Sequence, residues 1–342
     1  MKAAIFDPYL DTLGGGERYA MTFVQVLAEN GWDVDVEWGD ILITQKLEER
    51  LGLHLRGVNV VSSIDRGRGY DFCFWLSDGS IPNLFAKKNI LHFQVPFHGV
   101  NGKSLINRLK LRKVNKVVCN SKFTKKSIDN EYGVNSLVIY PPVGVDEFNP
   151  GKKENVILFV GRFSQLLQVK HQDVLIEAFK KMVDGSVVGW KLVLAGGSDV
   201  GGKELVRSLK AEARGYQIEV LENPNFNQVK QLYGKAKIFW SASGYGIDED
   251  KEPEKVEHFG ITVVEAMSAG CIPVVVNKGG HKEIIDDSVD GILWDNVSDL
   301  LSATTALING GDKLKAVAAN SRKKAERFSK KRFENEIIKL VS

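Results

Sequence analysis

The sequence lacks most of the features that would fix its class at a glance. Its three cysteines (Cys73, Cys119 and Cys271) are odd in number, far apart, and form no CxxC pair. That argues against a disulfide framework or a structural zinc site and fits a reducing cytosol. No stretch reaches the ~18 uncharged apolar residues of a membrane span. The longest candidate, 266–276, stops short and contains Gly270 and Pro273. At the start of the chain, Met1-Lys2 leads into Ala-Ala-Ile-Phe and then Asp7-Pro8, too short a run for the apolar core of a secretory signal. A global charge is missing too: 46 Lys and Arg against 43 Asp and Glu leave +3, so nothing in the balance demands nucleic acid. The expectation is a cytoplasmic protein that touches a membrane at most peripherally.

What is present is ordinary globular material. Hydrophobic residues make up 43% and charged residues 26%, which excludes a wholly disordered chain. At 342 residues the chain is too long for one typical core and comfortable for two. Short β-branched or apolar runs recur at 3–6, 34–38, 58–61, 72–75, 90–93, 116–119 and 137–140, then at 156–160, 191–195, 218–221, 238–240, 273–276 and 292–294. Amphipathic stretches separate them, such as 17–30, which stops at Gly31. This alternation predicts an α/β protein with parallel sheets covered on both faces. Two prolines and a glycine near 140–146 mark a boundary. Two doubly wound, Rossmann-like domains follow, at 1–148 and 149–324. Ligands of such sheets sit at strand carboxyl ends, so a cleft between the two domains is the expected site.

Charge is unevenly spread. Residues 1–86 carry seven basic and thirteen acidic residues, whereas 87–128 carry eleven basic residues and no acid before Asp129. Within 103–126, Leu105, Ile106, Leu109, Leu111 and Val114 interleave with Arg108, Lys110, Arg112, Lys113 and Lys116. That mixture suits an anionic membrane surface. The plainer alternative is a solvated helix whose leucines pack on the first domain.

Two segments carry candidate chemistry. Gly161-Arg162 directly follows the first strand of the second domain, and Lys170 opens the next helix. A tight turn with an Arg and a Lys in a strand-end crevice suits a diphosphate, although solvated loop cations would read the same way. The second segment, Glu257-His258-Phe259-Gly260-Ile261-Thr262, leads into an apolar helix that carries Glu265 and ends at Gly270. The N–H groups of Gly260, Ile261 and Thr262 offer an anion site, and Glu265 can accept the hydrogen bonds of a ribose diol. Glu265 as a simple first-turn carboxylate and Glu257 as a loop acid are the bland alternatives.

Taken together, these residues resemble glycosyltransferase family 4, retaining enzymes of the GT-B fold. The matching elements are Glu257 and Glu265 at E-x(7)-E spacing within the pattern Glu-His-Phe-Gly-Ile, and Gly161, Arg162 and Lys170. Gly14-Gly15-Gly16-Glu17-Arg18, Asn120-Ser121-Lys122-Phe123-Thr124, the linker Pro-Pro-Val-Gly-Val-Asp and Gly279-Gly280-His281-Lys282-Glu283 agree as well. The Glu-His-Phe-Gly-Ile version is most similar to the mannosyltransferase subgroup. The resemblance implies a metal-independent transfer of sugar from a nucleoside diphosphate, GDP-mannose or a UDP-sugar, to a hydroxyl of a glycan or lipid-linked acceptor. No cofactor beyond the donor is implied. Arg162 and Lys170 would hold the diphosphate, Glu265 the ribose and Glu257 the donor sugar, with Phe259, Gly260, Ile261 and Thr262 lining the nucleotide site. Gly15 and Gly16 would let the backbone approach a ligand. His92, at the end of the strand 90–93, matches the family's strand-end histidine, with His98 a rival. A final amphipathic helix spanning 316–340 would cross back to the first domain near 321–329, leaving 325–342 packed on it.

A sugar-nucleotide epimerase of the same fold and a non-catalytic sugar-nucleotide-binding subunit are the alternatives. Two acidic features imitate metal motifs, Asp33-Val34-Asp35 and the run at 248–252. Both read as solvated surface, and no metal is expected.

Overall fold

The computed structural model describes residues 1–165, 168–185, 187–198 and 201–342, with the side chains of 312 and 313 excepted. The chain divides into two compact units, residues 1–142 with 330–342, and residues 143–329.

The first unit contains β1 (Lys2–Phe6), α1 (Gly15–Glu29), β2 (Asp33–Glu37), α2 (Ile43–Leu51), β3 (Val58–Val61), β4 (Phe72–Leu76), β5 (Lys88–Phe93), α3 (Leu105–Leu111), β6 (Lys116–Cys119), α4 (Lys122–Tyr132) and β7 (Leu137–Val138). Its seven strands form one sheet in the order β3-β2-β1-β4-β5-β6-β7. Every pairing is parallel, with Ile5 beside Val36 on one flank and Phe74 on the other. The second unit contains β8 (Glu154–Val160), α5 (Gln172–Asp184), β9 (Lys191–Gly196), α6 (Gly202–Glu212), β10 (Ile218–Glu222), α7 (Phe226–Lys235), β11 (Ala236–Ser241), α8 (Ile261–Ser268), β12 (Ile272–Val276), α9 (His281–Ile284), β13 (Ile292–Trp294), α10 (Val297–Asn309) and α11 (Asp312–Ala325). Its sheet runs β10-β9-β8-β11-β12-β13, again parallel. The last helix, α12 (Lys330–Val341), belongs to the first unit.

The strand sequences explain the architecture. In β12, all five residues of Ile-Pro-Val-Val-Val are buried, the mark of a strand covered on both faces. Phe23 of α1 packs on Phe74, while Phe333 and Ile337 of α12 join the same core. Trp240, Ile157, Leu194 and Ile272 anchor the second core. In each sheet the strand order reverses beside the first strand, between β1 and β4 and between β8 and β11. The strand carboxyl ends at such switch points are where ligands of doubly wound sheets bind.

Two details depart from the sequence expectation. The seventh strand ends at Val138 rather than 140: Ile139 still donates its N–H to Cys119 O, but Pro141 and Pro142 have no N–H to continue a ladder. The terminal amphipathic stretch is not one helix. A single turn at Glu326–Phe328 and an extended Ser329 (φ −62°, ψ 153°) separate α11 from α12. Phe328 is buried in the second unit, where its carbonyl accepts the N–H of Val143.

Candidate active site

The candidate residues of the second unit gather around the ends of β8 and β11. Arg162 follows β8 after Gly161 and is exposed, and its carbonyl accepts a hydrogen bond from Gln172 Nε2 at 2.9 Å. The next residue, Phe163, is fully buried and pins the turn. Lys170 reaches across the switch point. Its ammonium donates to Ser243 Oγ just beyond β11 at 3.2 Å, to Gln168 Oε1 at 3.4 Å, and to Glu257 Oε2 at 2.8 Å. Only 13% of the Lys170 side chain and 20% of the Glu257 side chain are exposed. Burial alone would raise the Glu257 carboxyl, but the charge and hydrogen bond of Lys170, with His281 and His258 adding, hold it down to about 2. The two residues that the sequence placed 87 positions apart are therefore one ion pair.

Backbone fit holds the Glu257 loop. Gly280 donates its N–H to Glu257 O at 2.7 Å, and a Cβ at Gly280 would stand 2.4 Å from the Phe259 Cα, so only glycine fits. Phe259 itself is buried, with its ring against Phe328. Gly260 then takes φ +114°, and α8 starts at Ile261. Val263 N–H closes back on Gly260 O, and Thr262 O accepts from Tyr233 OH at 3.3 Å. Glu265, one turn into α8, is buried, and its Oε2 accepts the Tyr233 hydroxyl at 3.0 Å. A half-buried ammonium ties this helix pair together. Lys153 Nζ bonds the carbonyls of Ala236 and Ala269, each at 2.7 Å, at the carboxyl ends of α7 and α8, where a cation offsets the helix dipole.

Tyr233, Ser243 and Gln168 join the site without having been singled out for it from the sequence, and so does His281, which was noted there only within the matching Gly279–Glu283 element. His281 is fully buried, with Nδ1 3.0 Å from Val276 O and Nε2 3.5 Å from Ser241 Oγ. Burial lowers its pKa, opposed by the neighbouring Glu257. Ser243 carried a usable signal, since it lies just past a strand end at the switch point. Tyr233 lies inside a helix and carried none.

In the first unit, α1 begins at Gly15 rather than at residue 17, because Glu17 folds back to accept from Gly14 N–H and Thr12 Oγ1, each at 2.6 Å. Gly15 and Gly16 are thus the first helical residues, and Gly16 O accepts from Gln94 Nε2 at 3.0 Å. His92 is the penultimate residue of β5, at the strand end that the sequence suggested. It is fully buried inside β5, its ring stacked 4.2 Å from that of Tyr19, with Nδ1 3.1 Å from Val118 O. Burial pushes its pKa down to about 3, opposed by the Val118 contact, leaving a neutral core imidazole. The group that follows the strand on the same face and meets the start of α1 is Gln94. His98 is exposed. Asp7, just beyond β1, is wholly buried and its Oδ2 has no hydrogen-bond partner among the described residues. Burial, and then the charge of Glu17, push its carboxyl up to about 7 against the Tyr9 N–H.

The acidic decoys are engaged by neighbouring side chains. Asp35 accepts from Tyr70 OH at 2.6 Å and pairs with Lys2 at 2.9 Å, and Asn59 bonds both Asp33 and Asp35. Asp248 pairs with Lys251, Glu252 with Lys255, and Glu249 with Lys282.

Two successive all-parallel, doubly wound sheets with polar groups collected at their strand carboxyl ends define the GT-B fold of glycosyltransferases. The chain belongs to the family described as glycosyl transferases group 1, whose model matches residues 145–324. It is 27% identical over 230 residues to the GDP-Man:Man(3)GlcNAc(2)-PP-Dol alpha-1,2-mannosyltransferase of Dictyostelium discoideum, covering 62% of this chain and 43% of that protein. With the protein of the same name from Homo sapiens it shares 28% identity over 255 residues, 66% of this chain and 48% of that one. The chain thus spans less than half the length of these relatives. Its fold is similar to that of Anabaena HepE, solved in complex with UDP and glucose, with a TM-score of 0.77 at 18% identity over 100% of this chain and 99% of that one.

Proposed function

We propose that the protein transfers a sugar from a nucleoside diphosphate to an acceptor hydroxyl, with retention of configuration and without a metal ion. The observation that carries this reading is the Lys170–Glu257 pair beside Ser243, with Arg162 and Glu265 on the neighbouring loop and helix. In the proposed complex the diphosphate replaces Glu257 as the counter-ion of Lys170, with Arg162 as a second cation. The freed carboxylate then accepts hydroxyls of the donor sugar. Glu265, steadied by Tyr233, accepts the ribose diol, and the start of α8 from Gly260 to Thr262 faces the phosphates. The bond from the anomeric carbon to phosphate oxygen breaks, and the bond to the acceptor oxygen forms on the same face. The acceptor proton passes to the leaving phosphate oxygen, giving a glycoside and a nucleoside diphosphate. Fixed cations and helix N–H groups stabilise the departing charge without reorganising.

The names of the curated relatives favour GDP-mannose as donor and a lipid-linked glycan as acceptor, while the UDP complex of the structural neighbour keeps UDP-sugars in the test. A cytoplasmic setting fits the three buried free thiols, whose burial pushes their pKa values up to about 12, 12 and 11. The test is a thermal-shift panel of sugar nucleotides in EDTA. A ligand at about 100 times its dissociation constant adds about 2.7 kcal/mol. A clear shift with one GDP- or UDP-sugar that is lost in Glu265→Ala supports the site, and a flat panel sinks it.

A further inference from the structure

The acid-free segment has a shape that its sequence did not decide. Helix α3 buries none of its residues. Leu105 is 78% exposed, Ile106 66% and Leu109 59%, three large apolar side chains at i, i+1 and i+4 on one side of a short helix. They are not the leucines of a surface helix packed on its own domain. That work falls to Leu111 and Val114 just after them, which pack against the cluster of Phe93, Ile128 and Tyr132. The helix is nonetheless firmly placed. Ser104 Oγ accepts the Asn107 N–H at 3.3 Å, Glu131 accepts the Gly102 N–H at 3.0 Å, and Lys110 Nζ bonds Ile81 O at 2.8 Å. Lys113 lies over the Phe85 ring, 4.8 Å from its centre. A rigid base thus holds three apolar tips out in water.

The surroundings select the partner. Lys103, Arg108, Arg112, Lys113 and Lys116 are all exposed around these tips, and no Asp or Glu occurs between 87 and 128. A protein partner for three apolar side chains would meet charge that is mostly of one sign, the acid beside it, Glu131, being held by the Gly99 and Gly102 N–H groups. An anionic bilayer meets both features at once, with tips in the acyl boundary and cations among headgroups. We infer that α3 and its basic flanks form a fixed docking surface for an anionic lipid bilayer. This surface stands on the first unit alone and does not depend on the donor or on the chemistry of transfer.

The experiment is vesicle co-sedimentation of the full chain, using phosphatidylcholine alone and phosphatidylcholine with about one-third phosphatidylglycerol, at low and high salt. Binding should appear with the anionic vesicles only and fall as salt rises. Arg108→Ser, Arg112→Ser and Lys116→Ser together should lower the partition coefficient on the order of 100-fold, since each cation near such a surface counts about fivefold. Leu105→Ser, Ile106→Ser and Leu109→Ser together should abolish binding while leaving the sugar-nucleotide thermal shift unchanged, because these side chains are exposed. Equal binding to both vesicle types, or full binding by either triple variant, overturns the inference. So does self-association in sedimentation velocity that the apolar variant removes while vesicles stay unbound. A flat sugar-nucleotide panel with intact vesicle binding would defeat only the proposed transfer.

Discussion

Removing the cation of the Lys170–Glu257 pair is the perturbation whose size the structure sets best. Folding lowers the Glu257 carboxyl from 4.5 to about 2, which corresponds to roughly 3 kcal/mol in favour of the folded, ionised form. Because this acid titrates lower in the folded protein than in the unfolded chain, its contribution is complete above about pH 4.5 and is lost as pH falls toward 2. In Lys170→Met the carboxylate keeps its burial and loses its main counter-charge, so its pKa moves above the unfolded value. The variant then favours folding only with Glu257 protonated. Urea unfolding near pH 7 should show a loss of about 3 kcal/mol, the usual scale for breaking a buried pair from one side. The loss should shrink to less than half by pH 3, where Glu257 is already protonated in the unfolded chain and in the variant. The double variant Lys170→Met with Glu257→Gln should recover most of the stability. A loss that stayed constant from neutral to acid pH, or that the second substitution left untouched, would refute the ion-pair reasoning and leave Lys170 as a packing residue.

Glu257→Ala should reduce transfer far more than affinity for the free nucleoside diphosphate, which has no sugar, whereas Glu265→Ala should damage nucleotide binding itself. Calorimetric titration separates the two, and equal affinities in both variants would remove the ribose contact from Glu265. Tyr233→Phe deletes the 3.0 Å hydrogen bond to Glu265, and the same titration should show about fivefold weaker nucleotide binding, the worth of roughly 1 kcal/mol. Asp7 works in the opposite sense to Glu257: a folded carboxyl raised to about 7 favours folding when protonated, so stability declines as pH rises from about 3.8 to 7. Asp7→Asn should therefore stabilise the protein by about 2–4 kcal/mol near pH 8 and hardly at all near pH 4, and a pH-independent difference would show that Asp7 does not titrate in that range.

The strands were legible because strands covered on both faces read as continuous apolar runs, as Ile272–Val276 does. The site motifs were legible because glycine is required where a backbone turns or approaches closely, as Gly260 and Gly280 do. Side-chain direction was not. His92 and Phe93 are both fully buried, so no alternation along β5 distinguishes a core imidazole from one that faces a ligand. Tyr233 reaches Glu265 from another helix 32 residues away, a contact that exists only once β11 is placed beside β8. The break between α11 and α12 was hidden because the amphipathic pattern runs on through Ser329, while the backbone there answers to Phe328 and its partner Val143. In the basic segment the sequence showed the mixture of leucine and cation, and only the structure showed which leucines are left uncovered.

The central claim is metal-free transfer with retention at the carboxyl ends of the second sheet. Its most direct test is proton NMR of donor turnover in EDTA, with water as the acceptor when no other is supplied. The account predicts slow release of sugar from an α-linked donor that appears first as the α anomer, before mutarotation, and that Glu257→Ala abolishes. Release first as the β anomer, or turnover that begins only when Mg²⁺ or Mn²⁺ is added, would contradict it.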